Sequence, residues 1–211
     1  MPTALEKARQ APDSMKARIL TAARKLFGDY GYHGVTTRMI AQEVGIDIST
    51  LHYHWGEKQD LYEAVLTDLS DEIRTKLVEI EGLVHGKPLE VRLEVAIDVM
   101  CDHLFNNSDS AHLMLFSHFA KNRITTELDA HFTRHLANIA VAMGLAPDKA
   151  HVPPQANARV LAVWNSVVNF AAGEDLFRPI LNVDRQAYLA VVKETLKFIL
   201  LPAFTRKAPQ A

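Results

Sequence analysis

At 211 residues and 48% hydrophobic content, the chain can bury one large core or two small ones, and its formal net charge of −2 leaves it close to balance. Cys101 is the only cysteine, which excludes an intramolecular disulfide framework and fits a reducing cytoplasm. The start, MPTALEKARQAPDS, lacks the apolar run of a signal peptide, and charges interrupt every other apolar stretch before it could span a bilayer, so a cytoplasmic protein is expected.

Residues 1–12 read as a flexible arm carrying Lys7 and Arg9. A helix starts at Asp13 or Ser14, where Ile19, Ala22, Ala23, Leu26, Phe27 and Tyr30 trace one amphipathic stripe, and Gly31 closes it. It supplies a platform for the two short helices that follow.

In the first of these, Ile40, Ala41 and Val44 share one face. Gly45 ends it, because a residue just past the last turn must accept positive φ. Asp47 stands where a carboxylate caps the next helix, Ile48 to His54. That helix is too short to be stable alone, and Leu51 and Trp55 are its inward anchors. Ser49, Thr50, His52, Tyr53 and His54 remain outside. All can hydrogen-bond and none is acidic, a face suited to a DNA groove. Ile48 is open to two readings, a third inward anchor or an aliphatic contact to a thymine methyl.

Glu57 and Lys58 open a long helix to about Glu81, threaded by Leu61, Val65, Leu69, Ile73, Leu77 and Ile80 and spanning roughly 35 Å. Gly82, Gly86 and Pro88 mark a turn. Further helices are predicted over Leu89 to Phe105, Ala111 to Ala120, Arg123 to Met143, Gln155 to Ala172 and Asp184 to Phe204, with breaks at NNSDS, at GLAPDKAHVPP and around Gly173 and Pro179. No strand-like alternation occurs, so the fold class is all-α.

The last two predicted helices have apolar faces too wide for one partner. Val160, Leu161, Val163, Trp164, Val167, Val168 and Phe170 ring one; Leu189, Val192, Leu196, Ile199 and Leu200 stripe the other, with Tyr188, Phe198 and Phe204 outside the stripe. A second copy of the chain would cover the surplus as a four-helix isologous interface.

The string TTRxIAxxxGIxxxTLxxH followed by a lysine, preceded by an amphipathic helix ending in GYHG, resembles the TetR family of bacterial transcriptional repressors over about the first 60 residues. The resemblance implies a three-helix helix-turn-helix DNA-binding domain at 13–59, a helical ligand-binding and dimerisation domain at 60–205, and a tail at 206–211. It also implies a homodimer that reads a palindromic operator on double-stranded DNA and is released by a small-molecule effector. The family usually carries tyrosine at the position of His52, in contact with backbone phosphate; here tyrosine follows at Tyr53, and a contact from His52 would vary with pH. Trp55 replaces the usual phenylalanine.

The residue chemistry assigns roles within that frame. Thr36, Thr37 and Lys58 lie at helix starts where hydroxyls, an ammonium and free amides meet phosphate oxygens. Arg38 reaches a guanine edge or a phosphate. Ser49, Thr50 and Tyr53 are expected at base edges, with His52 and His54 nearer the backbone. Residues 1–58 hold 8 Lys/Arg against 6 Asp/Glu, a modest positive bias that agrees with a DNA-facing head.

No catalytic motif appears, and an enzyme is not expected. Cys101 and His103 are two apart on a helix and diverge. His131 and His135, flanked by Glu127 and Asp129, have ligand spacing, yet two ligands do not make a zinc site, and a solvated face is the preferred reading. No cofactor is expected. Met100, His103, Leu104, Met114, Phe116, His118, Phe119, Trp164, Asn165 and Asn169 mix apolar and polar groups that would suit an effector cavity. The alternative to a DNA-binding regulator is a helical dimer that binds ligands or partners without reading DNA sequence.

Overall fold

A computed structural model describes residues 2–119 and 127–205, and the chain is all-α. The helices are α1 (Ala4–Gln10), α2 (Met15–Gly34), α3 (Thr37–Val44), α4 (Ile48–Trp55), α5 (Lys58–Val84), α6 (Leu89–Asn106), α7 (Ser108–Phe119), α8 (Glu127–Ala142), α9 (Pro154–Ala172), α10 (Glu174–Leu181) and α11 (Arg185–Thr205). Contacts divide them into two compact units: Met1–Glu72 with His112–Ile124, and Ile73–Ala111 with Thr125–Ala211. Helices α5 and α7 contribute to both. Among the described residues, no helix is long and apolar enough to cross a membrane.

In the first unit, the segment expected as a flexible arm forms a helix. Thr3 accepts from the Glu6 amide while the Glu6 carboxylate accepts from the Thr3 amide, a capping box that closes the first turn of α1. Leu5 and Ala8 are buried, and Arg9 bridges Asp68 at 2.8 Å and Asp71 at 3.0 Å on α5. Tertiary contacts therefore hold a helix too short to persist alone.

Ser14 caps α2, whose Ile19, Ala22, Ala23, Leu26 and Phe27 are buried as the stripe requires, whereas Tyr30 is exposed. At Gly31 the backbone leaves the helical region, with φ 67° and ψ 170°. The Phe116 ring of α7 packs there, and a Cβ on residue 31 would stand 3.2 Å from it. Glycine thus provides both the bend and the room. Beyond it, Tyr32 lies 4.8 Å from Tyr62 and Tyr62 lies 4.9 Å from Phe27, an aromatic cluster joining the end of α2 to the start of α5.

The second unit is a bundle in which α6 packs on α11 and α9, and α8 on α9. Lys193 meets Asp102 at 2.6 Å and Lys197 meets Asp98 at 2.7 Å along the α6–α11 seam. Cys101 is fully buried, and burial first of all pushes its thiol up to about 12. Leu136, Ala140, Ala146, Ala156 and Val160 form a core between α8, α9 and the connecting loop.

Four expectations change here. The break at NNSDS narrows to Asn107, whose side-chain amide donates to the His103 carbonyl while its own carbonyl accepts from Ser110. The turn region around Gly173 and Pro179 contains α10, which leaves Leu176, Ile180 and Leu181 exposed. Tyr188, expected outside the α11 stripe, is fully buried and donates to the Phe170 carbonyl at 3.0 Å; Ile199, expected within the stripe, is 56% exposed. The start of the predicted helix at Arg123 and the tail 206–211 lie outside the described residues.

Candidate nucleic-acid interface

Local capping defines every boundary of the α3–α4 pair. The Thr36 hydroxyl accepts from the Met39 amide at 3.2 Å and starts α3. Gly45 ends it in the left-handed region at φ 77°, so that the Ile46 amide reaches back to the Ala41 carbonyl at 2.9 Å. Two residues later, Asp47 accepts from the Thr50 amide and the Ser49 hydroxyl, each at 2.6 Å. Those bonds hold the Asp47 carboxyl below its ordinary value, the Ser49 contact contributing most. A negative cap at the N-terminus of α4 also favours its dipole.

Burial fixes which face of α4 turns inward. Leu51 is wholly buried and Trp55 is 5% exposed, while Tyr53 is 85% exposed. Ser49 is exposed as well, and Thr50, His52 and His54 are half-buried. Ile48 is also half-buried. On α3 and its cap, Thr36 and Arg38 are exposed and Thr37 is half-buried.

A second set of contacts ties α4 to α2. Trp55 Nε1 donates to the Lys16 carbonyl at 3.0 Å, and the Lys16 ammonium donates back to the His54 carbonyl while lying 5.2 Å from the Trp55 ring centroid. Arg18 Nη2 donates to the Val44 carbonyl at 3.1 Å and so satisfies the last turn of α3. Burial, then the Lys16 charge, holds the His54 imidazole below its ordinary 6.5. His52 turns Nδ1 to the Gly56 carbonyl at 2.8 Å.

Lys58 has a more structural position than its place at a helix start suggests. Nζ donates at 3.0 Å to both the Tyr32 and Val35 carbonyls and lies 4.0 Å from the Tyr32 ring centroid. It clamps the end of α2 to the start of α5, and its third N–H remains for another acceptor. Burial holds its ammonium below the ordinary value. Sequence alone gives no signal for the roles of Lys16, Arg18 or Lys58, because each depends on a carbonyl more than twenty residues away.

The second unit holds a half-open cavity of about 460 Å³ lined by α5, α6, α8 and α9, by Met143 and by Lys149. Of the residues expected to bind ligand, Met100 and Trp164 line it. Leu104 belongs to the packed core of that unit, and Asn165 and Asn169 face solvent. His103, half-buried on α6, does not line the cavity. Met114, Phe116 and His118 belong to the first unit, and the Phe119 side chain lies outside the described residues. The His131 side chain, with those of Glu127 and Asp129, is also outside them, whereas His135 lines the cavity. Among the described residues, no group of three or more His, Cys, Asp or Glu could hold a metal ion.

Residues 19–65, from α2 into α5, match the family profile described as bacterial regulatory proteins, tetR family. The HTH-type transcriptional repressor AcnR of Corynebacterium glutamicum is 24% identical over 128 residues, covering 56% of this chain and 68% of that protein. The HTH-type transcriptional regulator RutR of Escherichia coli is 36% identical over 62 residues, but the match covers only 29% of each protein. In solved structures, the ketosteroid transcriptional regulator KstR2 of Mycobacterium tuberculosis shares the fold at a TM-score of 0.66 and 15% identity, over 92% of this chain and 97% of that one.

Proposed function

This chain belongs to the TetR family of bacterial regulatory proteins, and from that premise we propose that it is a DNA-binding transcriptional repressor acting as a homodimer on a palindromic operator. The observation that carries the reading is the polarity of α4: anchors Leu51 and Trp55 are buried, and Tyr53 projects from the opposite face beside Ser49 and Thr50. A helix held in this way presents side chains to base edges in the major groove. Thr36, Thr37, Arg38, His52 and His54 would flank it as phosphate contacts, with Ile48 at the rim and Lys58 offering its remaining N–H.

The second copy would cover α9 and α11. Helix α9 exposes Ala158, Ala162, Asn165 and Asn169 at helical spacing, and α11 exposes Val191, Phe198 and Ile199. Small side chains on one helix and large ones on the other suit close self-complementary packing. Two-fold symmetry then sets two copies of α4 against half-sites about 34–36 Å apart. The cavity of the second unit is the effector site in this reading. An effector relieves repression only by its difference in affinity for the DNA-bound and released states.

Selection of bound duplexes from a random pool at stated salt tests the proposal. The expected result is an inverted repeat; a set of bound duplexes with no shared sequence would refute it.

A further inference from the structure

The polar groups of the cavity in the second unit lean strongly to one side. Its wall is mainly aliphatic, and its volume of about 460 Å³ falls within the ordinary range for small-molecule sites. Arg74, Arg92 and Lys149 bring three cations to the lining, and among the described residues Glu81 is its one carboxylate. That carboxylate already faces Arg92 at 3.8 Å.

Trp164 strengthens the bias. It lines the cavity, and its Nε1 is buried without a hydrogen-bond partner. An indole N–H only donates, so what it lacks is an acceptor. Asn138 also lines the cavity with a buried, unpartnered Oδ1, and its amide can present either an oxygen or an N–H after a flip. A wholly apolar occupant would leave these groups unsatisfied, and a cation would meet an excess of positive charge. An acceptor-rich anion answers both conditions.

We infer that the cavity takes an amphiphilic anion, an aliphatic or alicyclic body carrying one carboxylate-type head, with the body on the aliphatic wall and the head among Arg74, Arg92, Lys149 and the Trp164 N–H. The consequence for DNA binding rests on the effector reading above; the ligand class rests on the cavity lining alone.

The test compares sodium decanoate with decanol, which share a hydrocarbon body and differ in the charged head, by isothermal titration calorimetry on the full-length protein. Decanoate should bind at least about tenfold more tightly than decanol, and Arg92→Gln and Trp164→Phe should each narrow that ratio. Equal binding of the two probes, or no saturable binding of decanoate up to about 1 mM, overturns the inference even if both variants fail to fold. Affinity for the selected operator is measured alongside. Decanoate that binds without weakening operator affinity refutes effector release and leaves the ligand class standing, whereas release by decanol as effective as by decanoate does the reverse.

Discussion

Trp55 and Lys16 hold each other in both directions: the indole donates to the lysine carbonyl, and the lysine ammonium returns to the last turn of α4 over the indole face. The exchange spans 39 residues of sequence and ties the end of α4 to the start of α2. Trp55→Phe keeps most of the buried ring and loses the 3.0 Å bond between α4 and α2, while the Lys16 carbonyl, near the start of α2, keeps its helical partner. Stability should fall by about 1–2 kcal/mol, read as a lower midpoint in thermal unfolding.

Two glycines bracketing α4 are expected to respond differently to alanine. At Gly56, with φ 75° and ψ −136°, a Cβ would stand 2.6 Å from the Asp60 carboxylate that caps the Glu57 amide. Gly56→Ala should cost about 2–3 kcal/mol and release the start of α5. Gly45 has φ 77° and ψ 38° with nothing within 4 Å of the added carbon, so Gly45→Ala should cost only about 1 kcal/mol. Parallel denaturant titrations would separate the two.

His54 makes the first unit sensitive to acid. Its folded-state imidazole is held below 6.5 by burial and by Lys16, so the unfolded chain takes up the proton first as pH falls. Its contribution is complete above 6.5 and is lost as pH drops from there through the folded value. His54→Gln should flatten the decline in stability between about pH 7 and pH 5, measured as unfolding midpoints across buffers.

Tyr53 and Lys58 should separate DNA reading from folding. Tyr53 is 85% exposed, so Tyr53→Ala should leave stability within about 0.5 kcal/mol while reducing affinity for the selected operator about tenfold or more. Lys58→Met removes the donors to Tyr32 and Val35 and should lower stability by about 1–2 kcal/mol, with DNA affinity falling alike on operator and random duplex. A Lys58→Met protein of unchanged stability would contradict the clamp.

Phe198 is 81% exposed on α11 and should be buried once a second copy is bound. Phe198→Glu should shift the protein to monomer in sedimentation velocity and abolish cooperative operator binding. A variant that sediments as the wild type does would place the subunit contact elsewhere.

The features legible in the sequence were those written locally. Gly45 and Asp47 announce the turn and cap of α4, and Leu51 and Trp55 announce its buried side, because cap chemistry and helical period act within a few residues. Helix α1 is not legible in the same way: residues 1–12 read as an arm, because a helix this short is held by the tertiary pairing of Arg9 with Asp68 and Asp71. Pro179 masked α10, although Leu176, Phe177, Ile180 and Leu181 follow helical spacing. The pairing of Phe116 with Gly31 had no sequence signal, nor did the cavity between α5, α6, α8 and α9. Periodicity says which side chains turn inward, and only packing decides where they fail to meet.

Cys101 gives this protein an internal clock. Its thiol is sealed within the second unit and kept protonated, so an alkylating reagent can reach a reactive thiolate only when that bundle transiently opens. With no other sulfhydryl in the chain, the rate of mass gain under alkylation counts those openings for one unit alone. A molecule that fills the cavity should slow the count in proportion to how tightly it holds the bundle shut.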